Sequence, residues 1–196
     1  MRVIRSSLLL MSIALVASAT AAQAGGILGA RLGTSISNIS GDVGSTVDLA
    51  NKNGFIGSAF LQMGDGMVSV QPEVGYVQKG FKDKISASTF QFNYAEVAGL
   101  VKVGVPAAGF HPHVFGGVGA DFNVSNLLPT GTSVDVKNLD WNAIFGGDVM
   151  MNMMGINVVA DARYAMGLND VTSANSVTSD IKNRAWMISA GAGIKF

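Results

Sequence analysis

The last eleven residues, Trp186 to Phe196, do most to limit what this chain can fold into. One parity reads Trp186, Ile188, Ala190, Ala192, Ile194 and Phe196; the other reads Met187, Ser189, Gly191, Gly193 and Lys195. Successive side chains of a strand point to opposite faces. The segment therefore predicts an apolar face with an aromatic at each end, backed by a small, polar face. About ten tilted residues with aromatics at both water boundaries are what a transmembrane barrel strand requires. A chain that ends on such a strand is expected in the outer membrane of a Gram-negative cell.

The same alternation recurs along the chain, giving eight segments in all. Gly26 to Ile36 sets Leu28, Ala30 and Leu32 against Gly29, Arg31 and Gly33. Phe55, Gly57, Ala59, Leu61 and Met63 form the outer face of the second segment, and Val68 to Tyr76 opposes Ser69, Gln71 and Glu73. The fourth, near Phe90 to Val103, sets Val97, Val101 and Val103 against Glu96 and Lys102. Pro112 to Phe122 opposes His113, Phe115 and Asp121; Trp141 to Met151 opposes Asn142 and Asp148; Ile156 to Tyr164 opposes Asn157, Asp161 and Arg163. Short connections at Gly64-Asp65-Gly66, Gly104 to Gly109 and Asn152 to Gly155 alternate with long polar ones. The long ones are Ser37 to Asn53, Lys79 to Thr89, Asn123 to Leu139 and Gly167 to Asn183. Short periplasmic turns and long extracellular loops are the pattern of outer-membrane barrels, and an even strand count leaves both termini in the periplasm. The expected fold is all-β: an eight-stranded antiparallel up-and-down transmembrane β-barrel over residues 25–196.

The start of the chain supplies a route to that membrane. Arg2 and Arg5 precede a short apolar core, Leu8 to Val16, and Ala22-Gln23-Ala24 reads as a cleavage site. The core is too short for a spanning helix, so residues 1–24 are expected to be a removed signal peptide rather than an anchor. No Cys follows the cleavage site, which excludes a lipoprotein anchor, and an exported domain without disulfides must be held together another way. Loss of the two Arg leaves 11 basic against 13 acidic residues, without the basic patch that a nucleic-acid surface needs.

The aromatics give a second check. Phe55, Tyr76, Phe122, Trp141, Tyr164 and Trp186 share the apolar parity of their strands, each at the end nearest a long connection. Trp and Tyr favour the headgroup level because an apolar ring can keep its polar edge wet, so these six are expected to form one girdle. The fourth strand departs from this, because Phe90, Phe92 and Tyr94 share parity with Glu96. Either a bulge near Ala95 turns them outward, or the lumen there is lined with aromatics.

Charge falls on the inner parity. Arg31, Lys102, Arg163 and Lys195 face Glu73, Glu96, Asp121, Asp148 and Asp161. A lipid-facing Lys or Arg would cost about 2–4 kcal/mol at the midplane, whereas inward charges can pair. A barrel of about eight strands has an interior that side chains just fill, so the charges are expected to pack the lumen as ion pairs; a narrow ion path is the alternative.

Several segments resemble the small outer-membrane β-barrel proteins of the PorT-like and OmpX-like type, often called porin family. Gln71-Pro72-Glu73-Val74-Gly75-Tyr76-Val77-Gln78-Lys79-Gly80 is similar to that family's third strand, and Tyr94-Ala95-Glu96-Val97 to its fourth, with Ala98 where Pro often follows. Val159-Ala160-Asp161-Ala162-Arg163-Tyr164-Ala165-Met166-Gly167-Leu168 resembles the seventh, and Lys182-Asn183-Arg184 the start of the last. The resemblance implies a barrel in outer-membrane lipid. With it comes an expected C-terminal assembly signal, Trp186, Ile188, Ile194 and Phe196, read by the barrel-assembly machinery. It implies no single activity, since fold does not fix function.

Catalytic and metal chemistry find little support. His111 and His113 could share a metal, but a zinc site needs three or four ligands and no acidic cluster or Cys lies nearby in sequence. A lipid hydrolase would need a nucleophile, a base and an orienting acid within reach. The inward Ser69 and Ser189 follow no such motif, and both His fall at the end opposite the Ser-rich connections. No enzyme activity and no cofactor are therefore expected. The long polar connections, such as Thr172 to Asp180, read either as solvated loops or as contacts for host surfaces or envelope partners.

Overall fold

The computed structural model describes residues 25–40, 49–64, 67–83, 88–105, 107, 109–127, 138–168 and 182–196. Eight strands follow one another: β1 (Gly26–Ser40), β2 (Leu49–Met63), β3 (Val68–Asp83), β4 (Ser88–Gly104), β5 (His111–Leu127), β6 (Leu139–Met153), β7 (Ile156–Gly167) and β8 (Lys182–Lys195). Each pairs antiparallel with its sequence neighbour, and β1 closes on β8 from Ile27↔Lys195 to Ser40↔Lys182. Beyond the ladder, Gly26 and Phe196 exchange two backbone hydrogen bonds of 3.2 and 3.0 Å. Closure matters because lipid offers no partner to a free N–H or C=O; a closed ring leaves no edge unpaired.

Side chains sort by parity as strand geometry requires. Leu28, Leu32, Val74, Val118, Phe145 and Ile188 are exposed on the outer wall, while Arg31, Glu73, Asp121, Asp148, Asp161 and Arg163 are buried inside. Among the connections, Met153 and Ile156 face each other across a two-residue hairpin. Met154 and Gly155 both take positive φ there, 54° and 87°, the arrangement whose twist matches that of the flanking strands. The tip of the Gly64-Asp65-Gly66 turn and residues 1–24, the expected signal peptide, lie outside the described residues.

The strands run further than the alternation of hydrophobicity predicted. Residues assigned to the Ser37–Asn53, Lys79–Thr89 and Asn123–Leu139 connections continue β1 to Ser40, β3 to Asp83 and β5 to Leu127. Roughly 9–11 tilted residues cross a bilayer, and β4 and β5 have 17 each. The extra length lies on the long-connection side, where outward residues such as Asn51 and Ser125 are polar. A ladder standing in water needs no apolar outer face, so the pattern disappears while the pairing continues. The middles of the long connections, including Thr172 to Asp180, lie outside the described residues.

The fourth strand takes the aromatic-lined alternative. β4 stays in unbroken register with β3; the extra residue is Val124 on β5, between Asn93↔Ser125 and Tyr94↔Asn123. Phe92 and Tyr94 are consequently buried in the lumen. Phe90 stacks on Phe81 at 4.7 Å between ring centroids.

Candidate functional site

Among the described residues, the buried ionisable groups gather in the lumen, where they fall into three tiers. In the middle tier, Arg31 from β1 and Arg163 from β7 meet Glu73 from β3 and Asp161 from β7. Arg163 reaches Glu73 Oε2 and Asp161 Oδ2 at 2.9 Å each. Arg31 bonds Glu73 Oε2 and lies 3.4 Å from Asp161 Oδ2. Three neutral groups complete the set: Gln71 Nε2 donates to Glu73 Oε1 at 2.6 Å, Ser189 Oγ to Asp161 Oδ1 at 3.3 Å, and Arg31 Nε to Ser58 Oγ at 3.0 Å. Two positive charges thus meet two negative ones across the barrel, all nearly inaccessible to water. Aromatic rings support both guanidiniums: Arg31 lies 5.5 Å from the Phe60 centroid and Arg163 5.2 Å from that of Phe115. A Cβ at Gly29 would stand 2.4 Å from the Phe60 ring, so the inner wall needs a glycine there for the ring to lie flat.

Toward the short turns, Lys102 Nζ lies 2.6 Å from Asp148 Oδ2 and donates to Gln62 Oε1 and Gln71 Oε1 at 3.0 Å each. His113 Nδ1 is 2.7 Å from the other oxygen of Asp148. Toward the long connections, Lys79 is bonded to Asp121. Glu96 stands directly opposite Asp121 across β4 and β5, and Asp140 opposite Asp121 across β5 and β6. Asn183 Nδ2 donates to Asp140 Oδ2 at 3.1 Å. Apolar side chains share the interior with these charges: Ile56, Val77, Leu100, Phe115, Ile144 and Met187 are buried in one cluster.

Eight of the nine charged residues expected inside are buried there: Arg31, Glu73, Glu96, Lys102, Asp121, Asp148, Asp161 and Arg163. Lys195 is instead exposed at the rim of the short-turn end, where it borders a cavity. Lys79, assigned by sequence to a loop, is a lumen residue; continuing the inner parity from Glu73 through Gly75 and Val77 would have found it. Of the six aromatics expected to form a girdle, Phe55, Phe122, Trp141 and Trp186 are exposed on the outer wall, and Tyr76 and Tyr164 are half-buried. Tyr164 and Trp186 face each other across β7 and β8 with centroids 5.1 Å apart. Trp186, Ile188, Ile194 and Phe196 all stand exposed on the outside of the last strand or just beyond it. His111 and His113 gain no third ligand: no group of three or more His, Cys, Asp or Glu suited to a metal occurs among the described residues. Ser69 and Ser189 are buried in the lumen, and Ser189 is engaged by Asp161.

Among solved structures, the outer membrane protein OprG from Pseudomonas aeruginosa is similar at a TM-score of 0.57 and 13% identity, over 88% of this chain and 96% of OprG. Neisserial surface protein A is similar at a TM-score of 0.55 and 12% identity, over 86% of this chain and 97% of its own. These likenesses are of fold. No curated protein matches the sequence. Residues 7–196 match the outer membrane protein beta-barrel domain family, and the chain, an eight-stranded closed barrel with an apolar outer wall, belongs to that family.

Proposed function

We propose that this outer-membrane barrel is a closed plug in the bilayer rather than a pore, with a structural or surface-interaction role carried by its long loops. The Arg31–Glu73–Arg163–Asp161 quartet is the observation that supports this reading. It joins β1, β3 and β7 across the lumen, and the buried Leu100, Phe115 and Ile144 pack the same interior. On this reading the long loops are extracellular and meet host surfaces or neighbouring envelope proteins, and both termini are periplasmic. Residues 1–24 are a cleaved signal peptide, and Trp186, Ile188, Ile194 and Phe196 are read by the barrel-assembly machinery. Among the described residues, no set of side chains suggests catalysis.

A narrow channel for ions or small solutes is the second reading. Glu96 Oε2, Asp121 Oδ1 and both amide atoms of Asn142 are buried with no hydrogen-bond partner, and water threading the upper lumen would supply one. Single-channel conductance in a planar bilayer separates the two, with an unboiled gel shift to report folding. A folded, silent barrel supports the plug. Stable ohmic openings whose ion selectivity changes in Arg31→Ala or Arg163→Ala would establish the channel; if those substitutions lower only stability, the channel reading loses its support.

A further inference from the structure

We propose that the cavity at the short-turn end of the barrel is a binding site for a compact oxyanion, either phosphate or a short carboxylate. The cavity has a volume of about 210 Å³, and its polar walls come from Gln62, His111, His113, Asn152, Asn157 and Lys195. No Asp or Glu is among the described residues that line it. Asp148, beside the lining His113, is turned to Lys102 and His113.

Hydrogen-bond chains fix which way the amides point. The Gly155 N–H can only donate, and it lies 3.4 Å from Asn152 Oδ1. Asn152 is thereby left to offer its NH2 to Asn157 Oδ1, at 3.2 Å. The NH2 of Asn157 is then the end of the chain: the residue is 7% exposed and this nitrogen has no partner. Gln62 is oriented by the same logic, because the Lys102 ammonium has only protons to give and lies 3.0 Å from Gln62 Oε1. Its NH2 is therefore also a donor. His113 holds Nδ1 toward Asp148, which leaves Nε2 as its second polar atom, and Lys195 adds a positive charge at the rim.

Two amide donors, those of Gln62 and Asn157, whose own acceptors are already used, with a cation beside them, suit an acceptor-only ligand that carries negative charge. Hydrogen bonds to such a ligand are the strong, charge-assisted kind, and one of them would satisfy the orphaned Asn157 nitrogen. The size sets the limit. Sites for drug-sized molecules run about 300–1,000 Å³, so this cavity admits an ion of a few heavy atoms with some water. Lys102, Gln62 and Gln71 are hydrogen-bonded together on its inner side, so the site can load and release from one end whether or not the lumen conducts.

The test uses the protein purified in detergent from outer membranes, titrated with inorganic phosphate, with succinate and, as control, with chloride. Calorimetry reports saturation, and the side-chain amide resonances of Asn157 and Gln62 report location. The expected result is saturable millimolar binding of phosphate, succinate or both, with those amide resonances shifting and chloride inert; which anion saturates identifies the ligand's class. Asn157→Asp replaces the donor by a negative charge and should weaken binding about tenfold or more. Lys195→Gln, at an exposed position that the fold tolerates, should weaken it several-fold with an unchanged gel shift. Absence of saturable binding by folded protein, or binding that both variants leave unaltered, would overturn the proposal.

Discussion

Replacing Glu73 by Gln is the sharpest perturbation of the lumen. The side chain keeps its shape and loses its charge, leaving the guanidiniums of Arg31 and Arg163 to share Asp161 alone. Glu73 now accepts from Arg31, from Arg163 at 2.9 Å and from Gln71 at 2.6 Å. Breaking a buried pair from one side leaves an uncompensated charge and costs about 3–5 kcal/mol, against about 0–1 kcal/mol for an exposed pair. The larger figure applies because both Arg side chains are about 1% exposed. Adding Arg31→Met to Glu73→Gln removes the surplus positive charge while keeping apolar bulk near Phe60. The double variant should therefore recover part of the loss, a coupling that a mutant cycle measures. Urea unfolding in lipid vesicles, followed by the fluorescence of Trp141 and Trp186, gives the free energies. A Glu73→Gln loss under about 1 kcal/mol, or a double variant as unstable as the sum of its parts, would refute this view of the quartet.

Other consequences follow from the wall and the turns. Ala160→Arg, on the outer face of β7 between Val158 and Ala162, should cost about 2–4 kcal/mol in the same unfolding assay. Val124→Arg, also exposed but in the polar extension of β5, should cost about 0–1 kcal/mol. Met154 sits at φ 54° at the fully exposed tip of its hairpin, a conformation that Asn and Gly accept more readily. Met154→Asn should raise stability by up to about 1 kcal/mol, whereas Gly155→Val, at φ 87°, should lower it; the unfolding midpoints decide both.

How much the sequence disclosed depends on which solvent each face meets. Where lipid lies outside, Leu28, Leu32, Val74 and Ile188 mark the outer parity so clearly that Arg31, Glu73, Asp161 and Arg163 are placed inside by counting. Where the strands rise beyond that band, both faces carry polar residues, and Lys79 reads as part of a loop although it pairs with Asp121. Parity also says nothing about partners. Arg31 and Glu73 meet across the lumen from strands that are not neighbours in the ladder, a result of barrel curvature and strand stagger. The pairing of His113 with Asp148 depends on the β5–β6 register, which turn length alone does not determine. Ile56, Leu100 and Ile144 share the inner parity with the charges, yet a search for charge passes over them. Attention to Gly29, which makes room for the Phe60 ring, would have pointed to an interior crowded with rings as well as ions.

The natural chain has no cysteine, which makes a single-cysteine scan along β8 the most direct test of an apolar wall around a filled lumen. Labels at 188, 190 and 192 should be reached by a lipid-soluble quencher, because Ile188, Ala190 and Ala192 face outward. Cysteines in place of Ala185, Met187 and Ser189, all buried, should resist both that quencher and a water-soluble thiol reagent. A period-two pattern with protected inner sites is the predicted result. Rapid labelling of positions 185, 187 and 189 from water would mean an open lumen, and loss of the alternation would mean that β8 does not cross the membrane as a barrel strand.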